Sequence, residues 1–86
     1  MARADKLLLG MANNPTGDWT IENVQTVCAS AGIQCLPPKR GGHFKVVHPS
    51  QVQILTIPAD RPIRPVYIRK LVAFIDQVRE SEDGGV

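Results

Sequence analysis

Carboxylates are scarce in the middle of this 86-residue chain. Between residues 39 and 70, seven cations face Asp60 alone and give a net charge of +6, whereas the other residues carry −4. A metal-dependent nuclease needs several oxygen ligands around its cation, so this scarcity argues against such chemistry in the basic half. The uneven charge predicts one surface that attracts polyanions. The seven cations are Lys39, Arg40, Lys45, Arg61, Arg64, Arg69 and Lys70.

Cysteines and long apolar runs are also few. Cys28 and Cys35 are too few for a disulfide scaffold and lack the Cys/His partners of a structural zinc site, so we expect free thiols in the core. No apolar run has the length needed to cross a bilayer, and Leu7-Leu8-Leu9 is shorter than a signal-peptide core. We therefore expect a cytoplasmic protein. The chain also lacks a phosphate-binding GxxxxGK[ST] motif.

Two helices have clear boundaries in the sequence. The first follows Thr20, a favoured N-cap, and ends before Gly32, which suits the position just past a helix. The last begins at Pro65, a residue favoured at the first helical position. Both have apolar side chains at helical spacing, which predicts one face packed on a core. These side chains are Ile21, Val24, Val27, Cys28 and Ala31, and then Ile68, Leu71, Val72, Ile75 and Val78.

The two ends of the chain are less regular. Residues 1–14 form an N-terminal arm in which residues 4–12 predict a short amphipathic helix, although Gly10 weakens it. Residues 80–86 are polar and glycine-rich, so we expect a flexible tail there. The length allows one domain over residues 1–86.

Three short strands are predicted between the helices, at residues 33–36, 43–47 and 53–57. Pro37-Pro38 ends the first strand and Pro58 ends the third, because proline cannot continue a paired ladder. The short connections favour an antiparallel meander. The expected fold is therefore an α+β domain of α-β-β-β-α order, with two helices on one face of a three-stranded sheet.

His43 is the strongest candidate for a catalytic residue. Alternation along the second strand turns Phe44 and Val46 to the core and leaves His43 and Lys45 on the opposite face, beside the flexible cationic turn Lys39-Arg40-Gly41-Gly42. RNA carries its own nucleophile, so a base that deprotonates a 2′-hydroxyl can start cleavage if cations stabilise the added charge.

Plainer explanations remain open for the same residues. His43 could be a surface residue that only hydrogen-bonds its neighbours, and the cations could form a solvated face. His48 lies five positions further on, so the two imidazoles face opposite sides of an unbroken strand, and His48 is better explained as support for a turn. Trp19 and Tyr67 could stack on bases, but both also have packing explanations.

From Asn13 to Ile75 the chain resembles the HicA toxins of type II toxin-antitoxin systems. The resemblance runs through Trp19-Thr20-Ile21-Glu22, Gly32, Gly41-Gly42-His43, His48-Pro49, Ile54-Leu55-Thr56-Ile57-Pro58 and the helix from Pro65 to Ile75. The family signature is glycine, serine, histidine on the second strand, with the histidine catalytic. Here Gly42 replaces the serine, and Phe44 stands where many relatives have a second histidine.

This resemblance implies a double-stranded-RNA-binding-domain-like fold and an mRNA interferase that needs no metal or cofactor. It implies that His43 is catalytic and that a HicB-type antitoxin covers it. The alternatives are a non-catalytic double-stranded-RNA-binding module and a protein-interaction domain with no RNA role. The residues expected to contact RNA are Lys39, Arg40, Gly41, Gly42, Lys45, Arg61, Arg64, Arg69 and Lys70.

Overall fold

The computed structural model describes residues 3–84, and side chains within residues 3–81. Its elements in chain order are α1 (Arg3–Asn13), α2 (Ile21–Ser30), β1 (Gln34–Leu36), β2 (His43–Val47), β3 (Leu55–Pro58) and α3 (Pro65–Gly84). The three strands form one antiparallel sheet of order β1-β2-β3. This confirms the predicted α+β fold of α-β-β-β-α order, with α1 as an additional N-terminal helix. No helix within residues 3–84 has the length and apolar character needed to span a membrane.

The ends of α2 lie at Thr20 and Gly32, as the sequence predicts, and local hydrogen bonds fix both. The hydroxyl of Thr20 accepts a hydrogen bond from the backbone N–H of Asn23, and the Asn23 side chain accepts one from the backbone N–H of Thr20. At the other end Gly32 has φ +71°, and the N–H of Ile33 donates to the carbonyl of Cys28. Because Ile33 completes this helix stop, β1 begins at Gln34 instead of the predicted residue 33.

The helices and one face of the sheet enclose a single core. In the sheet, Val46 of β2 and Ile57 of β3 are fully buried, while Cys35 and Leu55 pack against the core. The predicted α3 stripe is confirmed, since Ile68, Leu71, Ile75 and Val78 are fully buried and Val72 is half-buried; Phe74 is also buried, although the sequence does not single it out. In α1 the buried side chains are Ala4, Leu8 and Met11.

Trp19 explains why α1 contains a glycine. A Cβ atom added at Gly10 would lie 2.8 Å from Cη2 of Trp19, so the indole ring lies directly on the glycine. The same ring donates from Nε1 to the carbonyl of Asn14, at 2.8 Å. Gly10 lowers the intrinsic stability of an isolated helix. Its missing side chain makes room for the ring that joins α1 to the start of α2.

The third strand and the C-terminal tail also differ from the prediction. The third strand begins at Leu55, two residues later than expected, and it includes Pro58, which pairs with His43. A proline is tolerated there because β3 is an edge strand and Pro58 is its last residue. In the predicted tail, residues 80–84 continue α3, because no proline or glycine interrupts the helix before Gly84. The last two residues of the predicted tail, 85 and 86, lie outside the described part of the chain.

The two cysteines are core residues, as the sequence predicts, and they contact each other. Cys28 at the end of α2 is fully buried, and Cys35 of β1 is half-buried and packs against the core. The hydrogen bond with Cys35, together with burial, raises the pKa of Cys28, so this thiol keeps its proton. The same bond from Cys28 lowers the pKa of Cys35, against the effect of burial. Cys35 is therefore the more acidic thiol.

Alkylation across a pH series tests this difference. In the native protein we expect iodoacetamide to modify Cys35 before Cys28, with a midpoint pH below the ordinary thiol value of about 8.5, because the lowered pKa forms thiolate at lower pH. Cys28→Ala should raise that midpoint, whereas Cys28→Ser keeps a donor and should leave it low. Peptide mass spectrometry measures both sites. A Cys35 midpoint that is the same in all three proteins would contradict the role of the hydrogen bond.

Candidate nucleic-acid interface

His43 is the first residue of β2, and its side chain is exposed on the sheet face that carries no helices. The register places it opposite Pro58 of β3. Lys45 follows on the same face, between Leu36 of β1 and Thr56 of β3, and all three side chains are exposed. The predicted exposure of His43 and Lys45 is thus confirmed, and the two residues share one open surface. Of the two residues predicted to face the core, Val46 is fully buried, whereas Phe44 is half-buried and does not belong to the described core cluster.

The backbone N–H of His43 points towards the loop that precedes this residue in the chain. The N–H of Ala59 donates to the carbonyl of Gly42 at 2.8 Å, which makes Gly42 and Ala59 a hydrogen-bonded pair. The backbone N–H and C=O groups of successive residues point to alternate sides of a strand. Those of Gly42 point to β3, so those of His43 point to the β1 side. In that register the position opposite His43 falls to Pro38, which lies beyond the end of β1. The early end of β1 therefore leaves the N–H of His43 facing loop 37–42.

Loop 37–42 is open and positively charged. Lys39, Arg40, Gly41 and Gly42 are all exposed. Gly41 has φ +78°, a left-handed conformation that only glycine adopts at low cost. This backbone conformation agrees with the predicted role of Gly41 in shaping the turn. Gly42 has no positive φ, and a Cβ added there would meet no atom within 4 Å. The backbone therefore requires glycine at position 41 but would accept serine at position 42.

Loop 59–64 carries two of the predicted RNA-contacting arginines past the same end of the sheet. The N–H of Ile63 donates to the carbonyl of Trp19 at 2.9 Å and ties this loop to the segment before α2. Arg61 is exposed and lies 3.8 Å from the carboxylate of Asp18, which is also exposed. A pair so open to solvent contributes little to stability, so the guanidinium can exchange this partner for a phosphate.

Arg64 is also exposed and directly precedes α3. Its carbonyl accepts hydrogen bonds from the N–H groups of Tyr67 and Ile68, and the first turn of the helix contains no acidic residue. A cation at this end is not favoured by the helix dipole, as the sequence indicates.

Arg69 and Lys70 lie apart from His43. Both are exposed on α3, which packs on the face of the sheet opposite His43. Arg69 lines a pocket between α1 and α3 that also contains Asp76, and Lys70 lines a groove between β3 and α3. The predicted RNA-contacting set is therefore divided: the residues of loop 37–42 and Lys45 accompany His43, whereas these two α3 cations do not.

His48 supports a turn, as the sequence predicts. Its Nδ1 accepts a hydrogen bond from the backbone N–H of Ser50 at 3.1 Å and lies 2.8 Å from the Ser50 hydroxyl. The ladder between β2 and β3 has no bulge, so five residues separate the two histidines by about 16 Å along the strand. The two imidazoles do not form an acid-base pair.

Three neighbours of His43 and Lys45 on the open face were not identified from the sequence: Leu36, Thr56 and Pro58. They adjoin Lys45 and His43 only because of the strand register. The connection between β2 and β3 is seven residues long, and a connection of this length does not fix a register from sequence. Alternation within β3 could have placed Thr56 on an outer face, but not beside Lys45.

The described side chains contain no group of three His, Cys, Asp or Glu residues that could hold a metal ion. The functional groups at this open face are therefore the imidazole and backbone N–H of His43, the ammonium group of Lys45 and the cations of the neighbouring loop 37–42. Comparison of the chain with protein-family models, with curated proteins and with solved structures gives no match.

Proposed function

We propose that this chain is a metal-independent endoribonuclease that cleaves mRNA, the toxin of a HicAB-type toxin-antitoxin system, with His43 as its catalytic residue. The observation that supports this most strongly is the position of His43. Its imidazole is exposed on the open face of the sheet, and its backbone N–H faces the cationic loop 37–42. One residue thus offers a base and a phosphate-binding donor next to positive charge.

The reaction uses the RNA as its own nucleophile. The imidazole of His43 takes the proton of a 2′-hydroxyl, and the freed oxygen attacks the adjacent phosphorus. The bond to the 5′-oxygen breaks, and the imidazolium returns the proton to that leaving oxygen. The products are a 2′,3′-cyclic phosphate and a 5′-hydroxyl, so neither water nor a metal ion takes part in the bond exchange.

Lys39, Arg40 and Lys45 have the role of stabilising the negative charge that develops on the phosphate. All three are exposed cations, and Lys45 shares the open face with His43. Gly41 shapes the turn so that the backbone can approach a phosphate, and Arg61 extends the contact surface along loop 59–64. A HicB-type antitoxin that covers this surface would block RNA access to His43.

A non-catalytic double-stranded-RNA-binding module is the second candidate. It is favoured by what surrounds His43: Gly42 supplies no hydroxyl, and the Phe44 side chain is half-buried on the opposite side of β2. His43 would then contact a phosphate or a 2′-hydroxyl without transferring a proton.

Incubation with labelled RNA in excess EDTA separates the two candidates. We expect the wild-type protein to cleave a single-stranded transcript and to leave 2′,3′-cyclic phosphate ends, which mass spectrometry of the fragments identifies. A double-stranded RNA of the same sequence serves as the comparison substrate. Intact transcript at stoichiometric protein, together with tighter binding of the duplex, would favour the binding module.

Reversal of the loop charges should weaken RNA binding. For Lys39→Glu with Arg40→Glu we expect affinity for a single-stranded transcript to fall at least about tenfold at low salt, because fewer neutralised phosphates release fewer counterions. The slope of log K against log salt should become shallower by about 0.7 for each phosphate that the variant no longer neutralises. Filter binding between 50 and 200 mM salt measures both, and Arg3→Glu with Lys6→Glu, two exposed reversals on α1, is the matched control. An equal decrease in the control would show that only net charge matters.

A further inference from the structure

The groove between β3 and α3 is a second surface that RNA cleavage does not use. It has a volume of about 510 Å³, and its lining combines the apolar side chains of Leu55 and Phe74 and the ring of Tyr67 with the polar side chains of Gln53, Thr56 and Gln77. On α3 its lining residues recur along one side of the helix, from Tyr67 through Lys70 and Phe74 to Gln77. This side of α3 therefore lies beside β3, where a fourth strand would cover it.

The neighbouring edge of the sheet has unpaired backbone groups. β3 has β2 as its one neighbour, and the pairing of Ala59 with Gly42 fixes which groups point outward. Backbone groups of successive residues point to alternate sides of the strand, so those of Ile57, like those of Ala59, point to β2. The N–H and C=O of Thr56 and the C=O of Pro58 therefore point to the open edge. An edge with one free donor and two free acceptors is a template for an added strand.

Exposed apolar residues lie next to the same edge. Just before β3, Val52 is fully exposed and Ile54, which lines the groove, is 58% exposed. The opposite edge of the sheet differs, because β1 has only three residues and Pro37-Pro38 follows it directly. Within residues 3–84, the groove, the unpaired backbone groups and the exposed apolar residues therefore occur together only at the β3 edge of the sheet.

We propose that the β3 edge binds an extended, acidic segment of a partner protein as a fourth strand. Lys70 is the one charged residue that lines the groove, so the matching side chain on the partner is a carboxylate. Alternate apolar side chains of the segment fill the groove over Leu55 and Phe74. The proposal does not depend on the chemistry of His43, which lies on the other face of the sheet.

Charge disfavours a second copy of this chain as the occupant. Pairing of β3 with β3 would bring two copies of the basic half together, each with a net charge of +6 over residues 39–70. It would also place a second Lys70 near the first. An acidic segment meets the opposite charge on the same surface.

Peptide selection on the purified protein tests the proposal. A displayed library of random eight-residue peptides should yield sequences in which apolar and acidic residues alternate. The selected peptide should bind the Lys70→Glu variant at least about tenfold more weakly than the wild type, since the reversal sets like charges against each other. Lys6→Glu, an exposed reversal on α1, should bind within about twofold of the wild type.

Amide hydrogen exchange reports the backbone contact directly. The selected peptide should slow exchange of the Thr56 N–H, and Thr56→Pro, which removes that donor, should abolish binding. His43→Ala should bind the peptide as the wild type does, which keeps this result separate from the test of cleavage. Failure to select any alternating peptide, unchanged exchange at Thr56, or dimerisation through β3 in sedimentation would each overturn the proposal.

Discussion

His43→Ala is expected to reduce RNA cleavage in EDTA by about 10²- to 10⁴-fold, the usual contribution of a positioned acid-base group. The fold should survive, because the His43 side chain is exposed and does not belong to the core. RNA binding should fall much less than cleavage, since the exposed cations Lys39, Arg40 and Lys45 remain. Single-turnover cleavage of a labelled transcript and filter binding measure the two effects separately.

His48→Ala is the matched control for this experiment. It removes the other histidine of the chain, which lies at the far end of β2 and supports the turn at Ser50. We expect cleavage within a few-fold of the wild type, because His48 is about 16 Å along the chain from His43. Equal losses in both variants, or full cleavage by His43→Ala, would rule out His43 as the base.

Trp19→Ala is expected to lower the free energy of unfolding by about 3–5 kcal/mol, the usual cost of removing a packed tryptophan. The ring lies on Gly10, packs against the core and donates to the carbonyl of Asn14. For a domain of this size the whole free energy of unfolding is about 0.05–0.15 kcal/mol per residue, so the loss is a large fraction of it. Urea denaturation followed by circular dichroism measures it.

Gly10→Ala tests the same contact through the sign of its effect. With Trp19 present, the added methyl group would lie 2.8 Å from Cη2, so we expect a loss of about 1–3 kcal/mol from overpacking. With Trp19→Ala in place the clash is gone, and alanine should stabilise α1 by about 0.5–1 kcal/mol through its helix propensity. A stabilising Gly10→Ala in both backgrounds would show that the ring does not rest on the glycine.

Local chemistry made the helices predictable. Thr20 at the N-cap, Gly32 just past the end and Pro65 at the first position act within one turn of the chain, so neighbouring residues suffice to identify them. The alternation of β2 is similarly local, and it correctly turned His43 and Lys45 to the open face. Gly10 was less informative, because its role depends on Trp19, nine residues further along the chain.

The sheet was less predictable, because strand pairing depends on residues distant in sequence. The connection between β2 and β3 leaves their register open, so Thr56 could not be assigned to Lys45, nor Pro58 to His43. The third strand was placed two residues too early for the same reason. Arg69 and Lys70 were grouped with the RNA-contacting cations because of their charge, and the structure places both on α3, across the sheet from His43.

The order of elements, the apolar faces of the helices and the exposure of His43 beside a cationic glycine turn could all be derived from the amino-acid sequence. Each follows from the 3.6-residue or two-residue period, or from chemistry within a few residues. Three-dimensional packing was needed to show that the register sets His43 opposite Pro38, just past the end of β1, and that the β3 edge is open beside a groove. Those features depend on contacts between strands and helices that are distant in sequence, and packing of the whole core determines those contacts.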